Sequence, residues 1–172
     1  MKPIANTMER DTFIPNINDP HLSDINEKEI YISDLSDITA TFIKQNCEEL
    51  FAKKLVCKSK IVFAVLVIQT AKGLRCFFGT NYINYLIQHC PGTRNTNGIK
   101  TYQNCKDICK QDIHAETCAI HICIKNKLSP NGGSMYITGH PFCCPNCEVV
   151  MQKHGIINAK SFDSTYQKSF EG

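Results

Sequence analysis

Two short segments of the chain carry side chains that bind metals and move protons. Residues 114–116 are His-Ala-Glu, and residues 144–147 are Cys-Pro-Asn-Cys. Imidazole and thiolate suit Zn²⁺, and a site with three protein ligands keeps its fourth tetrahedral position open for water. A nearby carboxylate can take a proton from that water. The joint pattern predicts a catalytic zinc site whose ligands and proton carrier are His114, Cys144, Cys147 and Glu116.

Each segment alone has a simpler explanation. An acidic residue is favourable at any helix start, and Cys-x-x-Cys also occurs in redox and structural zinc sites. Cys143 stands directly before the pair and competes with Cys144 for the ligand role. We favour Cys144, because it keeps the two-residue spacing to Cys147 and places Pro145 at the first helical position.

The composition indicates one globular domain. Of 172 residues, 42% are hydrophobic and 20% charged, and the formal net charge of +3 is too small to indicate nucleic-acid binding. The 11 cysteines are an odd number and cannot all pair within the chain. Residues 1–20 lack the apolar run of a secretion signal, and the longest apolar run, residues 61–68, is too short to span a bilayer. We therefore expect a reduced, cytoplasmic protein that uses thiolates for metal and has no membrane partner.

The pattern of apolar residues predicts an α/β layered domain. Residues 1–32 lack a steady period and are predicted to be a flexible arm, and residues 33–172 are predicted to be a single domain. A helix capped by Asp34 is expected to run to about Phe51. The other predicted elements are strands at 61–68 and 74–78, a helix at 82–90, a loop at 91–100, a helix at 113–126, a strand at 135–138, a helix at 145–154 and a strand at 156–162.

The residues around the two segments resemble the cytidine/deoxycytidylate deaminase superfamily. Residues 111–120, Gln-Asp-Ile-His-Ala-Glu-Thr-Cys-Ala-Ile, are similar to the catalytic helix of deoxycytidylate deaminases, and residues 78–81, Phe-Gly-Thr-Asn, are similar to the end of that family's second strand. Gly155-Ile156 follows the cysteine pair at the family's offset. The resemblance covers about residues 34–162. It implies a three-layer α/β/α sandwich with a mixed central sheet, three zinc ligands and a proton shuttle, which are His114, Cys144, Cys147 and Glu116.

The residue type of the first ligand, His114, indicates which branch of the superfamily the chain resembles. Free-nucleoside cytidine deaminases generally use Cys where this chain has His114, whereas deoxycytidylate, guanine, tRNA-adenosine and polynucleotide deaminases use His. The chain contains no Trp, although polynucleotide cytidine deaminases commonly carry one before the cysteine pair. The resemblance therefore implies hydrolysis of a cytosine nucleotide, with dCMP to dUMP and ammonia as the first expectation. Deamination of cytosine or adenine in single-stranded DNA or RNA is the alternative.

The chain departs from the family's pattern in two places. The family usually has Pro directly before the first Cys of the pair, but here Cys143 holds that position and Pro141 lies three residues before Cys144. The loop at 138–143 therefore need not shape the pocket in the usual way. The family's last helix and fifth strand have no counterpart in the pattern, so we expect a fold that is shortened at its C-terminal end.

Five residues are candidate substrate contacts. The resemblance implies that Asn81 contacts the sugar, and Ala115 lies inside the His-Ala-Glu segment. His140 and Phe142 lie in the loop before the cysteine pair, where contact with the base or a phosphate competes with stabilising the loop or the core. Arg94 suits a 5′-phosphate, because guanidinium binds phosphate bidentately, and a solvated loop cation is an equally good explanation.

Three further cysteines, Cys90, Cys105 and Cys109, form a candidate second zinc site. Burial as small hydrophobic side chains is the explanation we favour. A non-catalytic module, in which Cys105 and Cys109 join Cys144 and Cys147 around one structural zinc, leaves the His-Ala-Glu segment without a purpose. A small nucleotide is the expected partner, and members of the family often form homo-oligomers.

Overall fold

The computed structural model describes residues 29–51, 61–81 and 114–170. The predicted helix at 82–90 and the loop at 91–100 lie outside these ranges, as do residues 1–28 of the predicted arm. The described elements in chain order are β1 (Ile30–Ile32), α1 (Ala40–Leu50), β2 (Phe63–Thr70), β3 (Gly73–Thr80), α2 (Ala115–Lys125), β4 (Ser134–Thr138), α3 (Pro145–Lys153), β5 (Asn158–Ser161) and β6 (Gln167–Ser169).

One mixed sheet of six strands organises the described residues. Its strand order is β1-β3-β2-β4-β5-β6, and only β4 and β5 run parallel. β2 and β3 form a hairpin in which Thr70 pairs with Gly73 across a two-residue turn. β4 and β5 are joined through α3, since parallel neighbours need a crossover connection. The α/β class and the mixed sheet that the sequence predicts are confirmed.

Helices cover the sheet on both faces. The Phe42 ring of α1 lies 5.7 Å from the Phe78 ring of β3, measured between centroids. The neighbouring residue, Gly79, faces the backbone of Ala119 in α2. Because successive strand residues point to opposite faces, α1 and α2 lie on opposite sides of the sheet. All residues of β2 from Phe63 to Ile68 are buried, as expected of a strand covered on both faces.

The first predicted helix is interrupted. Asp34 caps a short 3₁₀ turn, Leu35–Asp37, rather than a long α-helix. The Asp37 carboxylate accepts hydrogen bonds from the backbone of Ser33 and Asp34, which closes this turn on itself. The chain is extended at Ile38, and the α-helix begins again beyond Thr39, whose Oγ1 accepts from the Phe42 N–H at 3.0 Å.

The two sheet edges also differ from the sequence prediction. β1 pairs with residues 74–76 of β3 and so belongs to the sheet, although the sequence analysis placed it in the flexible arm. β6 pairs antiparallel with β5 and was not predicted. Both strands have three residues, too few for an apolar alternation to stand out. The described residues after Lys153 contain no helix, but they do contain β6, a strand beyond the last one that the sequence predicted. No helix within the described ranges has the length and apolar character needed to cross a membrane.

Candidate metal centre

His114 is fixed at the start of α2. It is the N-cap residue, and its backbone is extended. Thr117 closes the first turn from the helix side: its Oγ1 accepts from the His114 N–H at 3.2 Å and donates to the His114 carbonyl at 3.0 Å. These two hydrogen bonds hold the backbone of the histidine at the start of the helix.

Gly79 allows α2 to lie directly on the sheet. A Cβ at this position would stand 2.2 Å from the Ala115 carbonyl oxygen and 2.6 Å from the Ala119 nitrogen. Only a residue without a side chain permits this approach of a strand to a helix backbone. The contact falls on the first turn of α2, so Gly79 sets the distance of the His-Ala-Glu segment from the sheet.

The cysteine pair occupies the start of α3. Cys144 is the N-cap, Pro145 is the first helical residue, and the Cys144 Sγ accepts from the Cys147 N–H at 3.4 Å. The two-residue spacing therefore places both thiols around the N-terminus of one helix. The positive end of the helix dipole stabilises a thiolate at this position.

The N-terminal ends of α2 and α3 lie side by side and bring the three candidate ligands together. The ligand atoms of His114, Cys144 and Cys147 all lie within 4.8 Å of one another, and no other such group of three is found among the described residues. The His114 Nδ1 stands 3.6 Å from the Cys144 Sγ. Around a tetrahedral zinc, bond lengths of about 2.0 Å to nitrogen and 2.3 Å to sulfur place nitrogen and sulfur roughly 3.5 Å apart. The donor set and its spacing fit zinc.

The cluster stabilises one negative charge on sulfur. The contact with the Cys147 thiol lowers the pKa of the Cys144 thiol to about 4, and His114 and the Cys147 N–H add to this effect. The same contact between the two thiols, together with burial, raises the pKa of Cys147. The contact with Cys144 also raises the pKa of His114. A metal that binds both sulfurs would therefore displace the Cys147 proton.

Glu116 is a buried carboxyl beside the cluster, with only 4% of its surface exposed. Burial raises its pKa, and this effect outweighs the opposing contributions of its own backbone N–H and of His114. A carboxyl whose pKa is raised holds a proton more readily than an exposed carboxyl does, which is the property that a proton carrier needs. Glu116 is therefore suited to the proton-carrying role that the sequence assigns to it.

Cys143 is not part of the three-residue cluster. It is buried, with 2% of its surface exposed, and burial raises the pKa of its thiol. The thiol lies beside the Glu116 carboxylate instead, and the negative charge of that carboxylate adds to the rise in the pKa of Cys143. Of the two competing cysteines, the structure thus brings Cys144 to the histidine and Cys143 to the glutamate. Cys144 remains the predicted ligand.

Four of the five candidate substrate contacts lie within the described residues, and two of these, Asn81 and Ala115, are buried. Asn81 is 6% exposed, and its Oδ1 accepts from the Val62 N–H at 2.9 Å, which ties the end of β3 to the start of β2. Ala115 is buried in the first turn of α2, beside the cluster. Arg94 and the predicted second-zinc residues Cys90, Cys105 and Cys109 lie outside the described residues, so these assignments stay predictions.

His140 and Phe142 contact each other in the loop before the cysteine pair. The His140 Nδ1 lies 2.6 Å from the Phe142 carbonyl oxygen and 3.3 Å from the Phe142 nitrogen. The two rings meet edge to face, with centroids 4.7 Å apart. Phe142 remains 48% exposed, so it is not a core aromatic residue. The contacts of His140 stabilise the loop, and its role toward substrate stays a prediction.

The sequence analysis did not identify the residues whose hydrogen bonds hold the loop before the cysteine pair in place. The carboxylate of Asp163 accepts from Thr138 Oγ1 at 3.0 Å and from the Gly139 N–H at 2.9 Å. Ser161 Oγ donates to the His140 carbonyl at 2.6 Å. Asp and Ser after a strand are ordinary turn residues, and no local signal distinguishes them from residues that bind only their own turn.

Solved structures that are similar to the chain include two of a dCMP deaminase. The crystal structure of dCMP deaminase from the cyanophage S-TIM5 in apo form has 19% sequence identity and a TM-score of 0.41, and the match covers 73% of this chain and 88% of that chain. The structure of dCMP deaminase from the same phage in complex with dCMP and dUMP has 19% identity and a TM-score of 0.43, and covers 72% and 81%. No protein-family model and no curated protein matches the chain.

Proposed function

We propose that this chain is a zinc-dependent deaminase that hydrolyses the exocyclic amine of a cytosine nucleotide, with dCMP as substrate and dUMP and ammonia as products. The observation that carries the proposal is the meeting of His114, Cys144 and Cys147 at two helix starts, with the buried Glu116 beside them. A structural zinc site closes with four protein ligands, whereas the described residues bring three together, which leaves a position for water.

The proposed ligands are the Sγ atoms of Cys144 and Cys147 and one ring nitrogen of His114. When bound, zinc supplies a Lewis acid that makes a water molecule acidic near neutral pH. Two thiolates and a neutral imidazole balance the charge of the metal. The N-terminal ends of α2 and α3, at which these residues lie, favour the negative charge of the thiolates.

Glu116 moves the proton in the proposed reaction. Its carboxylate takes a proton from the attacking water and delivers it to the ring nitrogen next to the carbon under attack. It then carries a second proton, taken from the hydroxyl now bound to that carbon, to the amine; the C–N bond breaks and ammonia leaves, so the reaction consumes one water. Burial suits both steps, because it excludes bulk water and raises the pKa of the carboxyl, so that the carboxyl holds a proton more readily.

The choice of dCMP rests on the sequence. His114 in place of Cys separates the chain from free-nucleoside cytidine deaminases, and residues 111–120 and 78–81 resemble deoxycytidylate deaminases. Asn81 is proposed to contact the sugar and Arg94 the 5′-phosphate. The single domain, the cytoplasmic location and any homo-oligomer are further expectations from the sequence.

Ammonia release by zinc-loaded protein tests the proposal. The substrates are dCMP, CMP, deoxycytidine, guanine and a single-stranded cytosine oligonucleotide. We expect turnover of dCMP, and a fall of about 10²- to 10⁴-fold in Glu116→Gln, which keeps the shape of the side chain but cannot carry the proton. Glu48→Gln, an exposed glutamate on α1, is the matched control and should keep full activity.

Two results would contradict the proposal in different ways. Turnover of the oligonucleotide alone would assign the protein to the deaminases of nucleic acids. No turnover of any substrate, together with full zinc content in His114→Ala, would show that the histidine is not a ligand and would favour the structural-zinc module.

A further inference from the structure

Residues 161–168, which run from the end of β5 into β6, contact the chain on both sides of the cysteine pair. We call them the C-terminal clamp. On the N-terminal side of the pair, Asp163 binds Thr138 and Gly139, and Ser161 binds His140, at the distances given above. Ser164 Oγ adds a hydrogen bond to the Pro141 carbonyl. The loop that leads to Cys143 is therefore held along its length by the clamp.

Tyr166 extends the clamp to the C-terminal side of the pair. Its hydroxyl donates to Glu148 Oε2 at 2.5 Å, and Glu148 directly follows Cys147. The other carboxylate oxygen of Glu148 pairs with the Lys168 ammonium at 2.8 Å. The Tyr166 hydroxyl also lies beside the thiol of Cys143, which directly precedes Cys144. One phenol thus contacts the residues that flank both proposed sulfur ligands.

We propose that Tyr166 is a positioning residue for the metal: its hydroxyl fixes the first turn of α3, so that the Cys144 and Cys147 sulfurs keep the separation that zinc requires. This role rests on the metal centre of the proposed function but not on the substrate. Cys144 is the N-cap of α3: its carbonyl accepts from the Glu148 N–H at 3.0 Å, and its Sγ contacts the Cys147 N–H and His114, so the backbone of Glu148 links the Tyr166 hydrogen bond to the proposed ligand. Loss of a partner that orients metal ligands typically weakens metal binding by about 10- to 100-fold.

Tyr166→Phe removes the hydroxyl and keeps the ring. We expect its zinc dissociation constant, measured by competition with a chromogenic chelator, to rise by about 10-fold or more. Cobalt(II) substitution gives a second readout, because its absorption bands report the geometry and the thiolate ligation of the site. Those bands are expected to shift or weaken in Tyr166→Phe.

Tyr31→Phe is the matched control. Tyr31 also donates its hydroxyl to a glutamate, Glu29 Oε1 at 2.8 Å, but it lies on β1 at the opposite edge of the sheet. Its zinc affinity and cobalt spectrum should equal those of the wild type. Glu148→Ala removes the Tyr166 hydrogen bond from the other side, so it should weaken zinc binding to a similar extent.

The melting temperatures of the zinc-free proteins distinguish a loss of ligand positioning, which leaves the temperature unchanged, from a general loss of structure, which lowers it. Zinc affinities of Tyr166→Phe and Glu148→Ala within a factor of two or three of the wild type would overturn the role of Tyr166, as would equal losses in Tyr31→Phe. If the wild type bound zinc but deaminated none of the substrates, the proposed reaction would be wrong and the proposed role of Tyr166 would be unaffected. A wild type that binds no zinc would overturn both.

Discussion

Replacing Gly79 with alanine tests whether the contact between sheet and helix places the catalytic segment. The added Cβ would stand 2.2 Å from the Ala115 carbonyl oxygen, and real Cβ contacts essentially never fall below 3.0 Å. The first turn of α2 would have to retreat from β3 by about 0.8 Å, the difference between these two distances. Both atoms that crowd this Cβ most closely are backbone atoms, so no side chain can rotate away to relieve the clash.

The retreat would move His114 and Glu116 relative to Cys144 and Cys147. A displacement of about 1 Å at a catalytic group can cost about 100-fold in rate. Overpacking of this kind also destabilises a protein by about 1–3 kcal/mol, which lowers the melting temperature by several degrees in a domain of this size. We expect Gly79→Ala to lose about 100-fold in kcat for ammonia release and to bind zinc more weakly.

Gly132→Ala distinguishes this displacement from a general loss of stability. Gly132 has a φ of +81°, so alanine there is strained, but its Cβ would meet nothing within 4 Å. We expect a loss of about 1 kcal/mol in unfolding free energy with kcat unchanged. If Gly79→Ala retained wild-type kcat and zinc affinity, the close contact would not position the site. If both variants lost activity equally, stability alone would explain the effect.

Three other predictions concern the thiols and the metal. Cys144→Ser should lose most of the bound zinc, while Cys143→Ser should keep it; metal analysis of the purified proteins decides, and the reverse pattern would exchange the two assignments. In zinc-free protein the pKa of Cys144 is lowered to about 4, so the sulfur is ionised above that pH. Iodoacetamide should therefore modify Cys144 at pH 6 and react progressively less as the pH falls through about 4, and mass spectrometry that found no modification at pH 6 would contradict the assignment. Removing zinc with a chelator should lower the melting temperature, because a metal that binds only the folded state stabilises it; an unchanged melting temperature would show that these residues hold no tightly bound metal.

The sequence was sufficient for the central part of the fold. A long apolar run predicted β2, the turn after it predicted that β3 returns beside it, helical spacing predicted α2, and Pro145 and Gly155 marked the two ends of α3. The sequence did not predict the two edge strands of the sheet or the interruption of the first helix. β1 and β6 are too short to show a pattern, and the break at Ile38 depends on the Asp37 carboxylate closing the turn before it.

The sequence also determined the chemistry of the candidate site, because residue types and short spacings suffice to place a histidine at one helix start and two thiols at another. Only the tertiary structure brings the two together, since His114 and Cys144 are 30 residues apart and meet through the packing of α2 and α3 beside the sheet. The close approach at Gly79, the turning of Cys143 toward Glu116 and the reach of Tyr166 to both sides of the cysteine pair are likewise tertiary. Each depends on which side chains face one another across separate elements, and a local pattern carries no information about that.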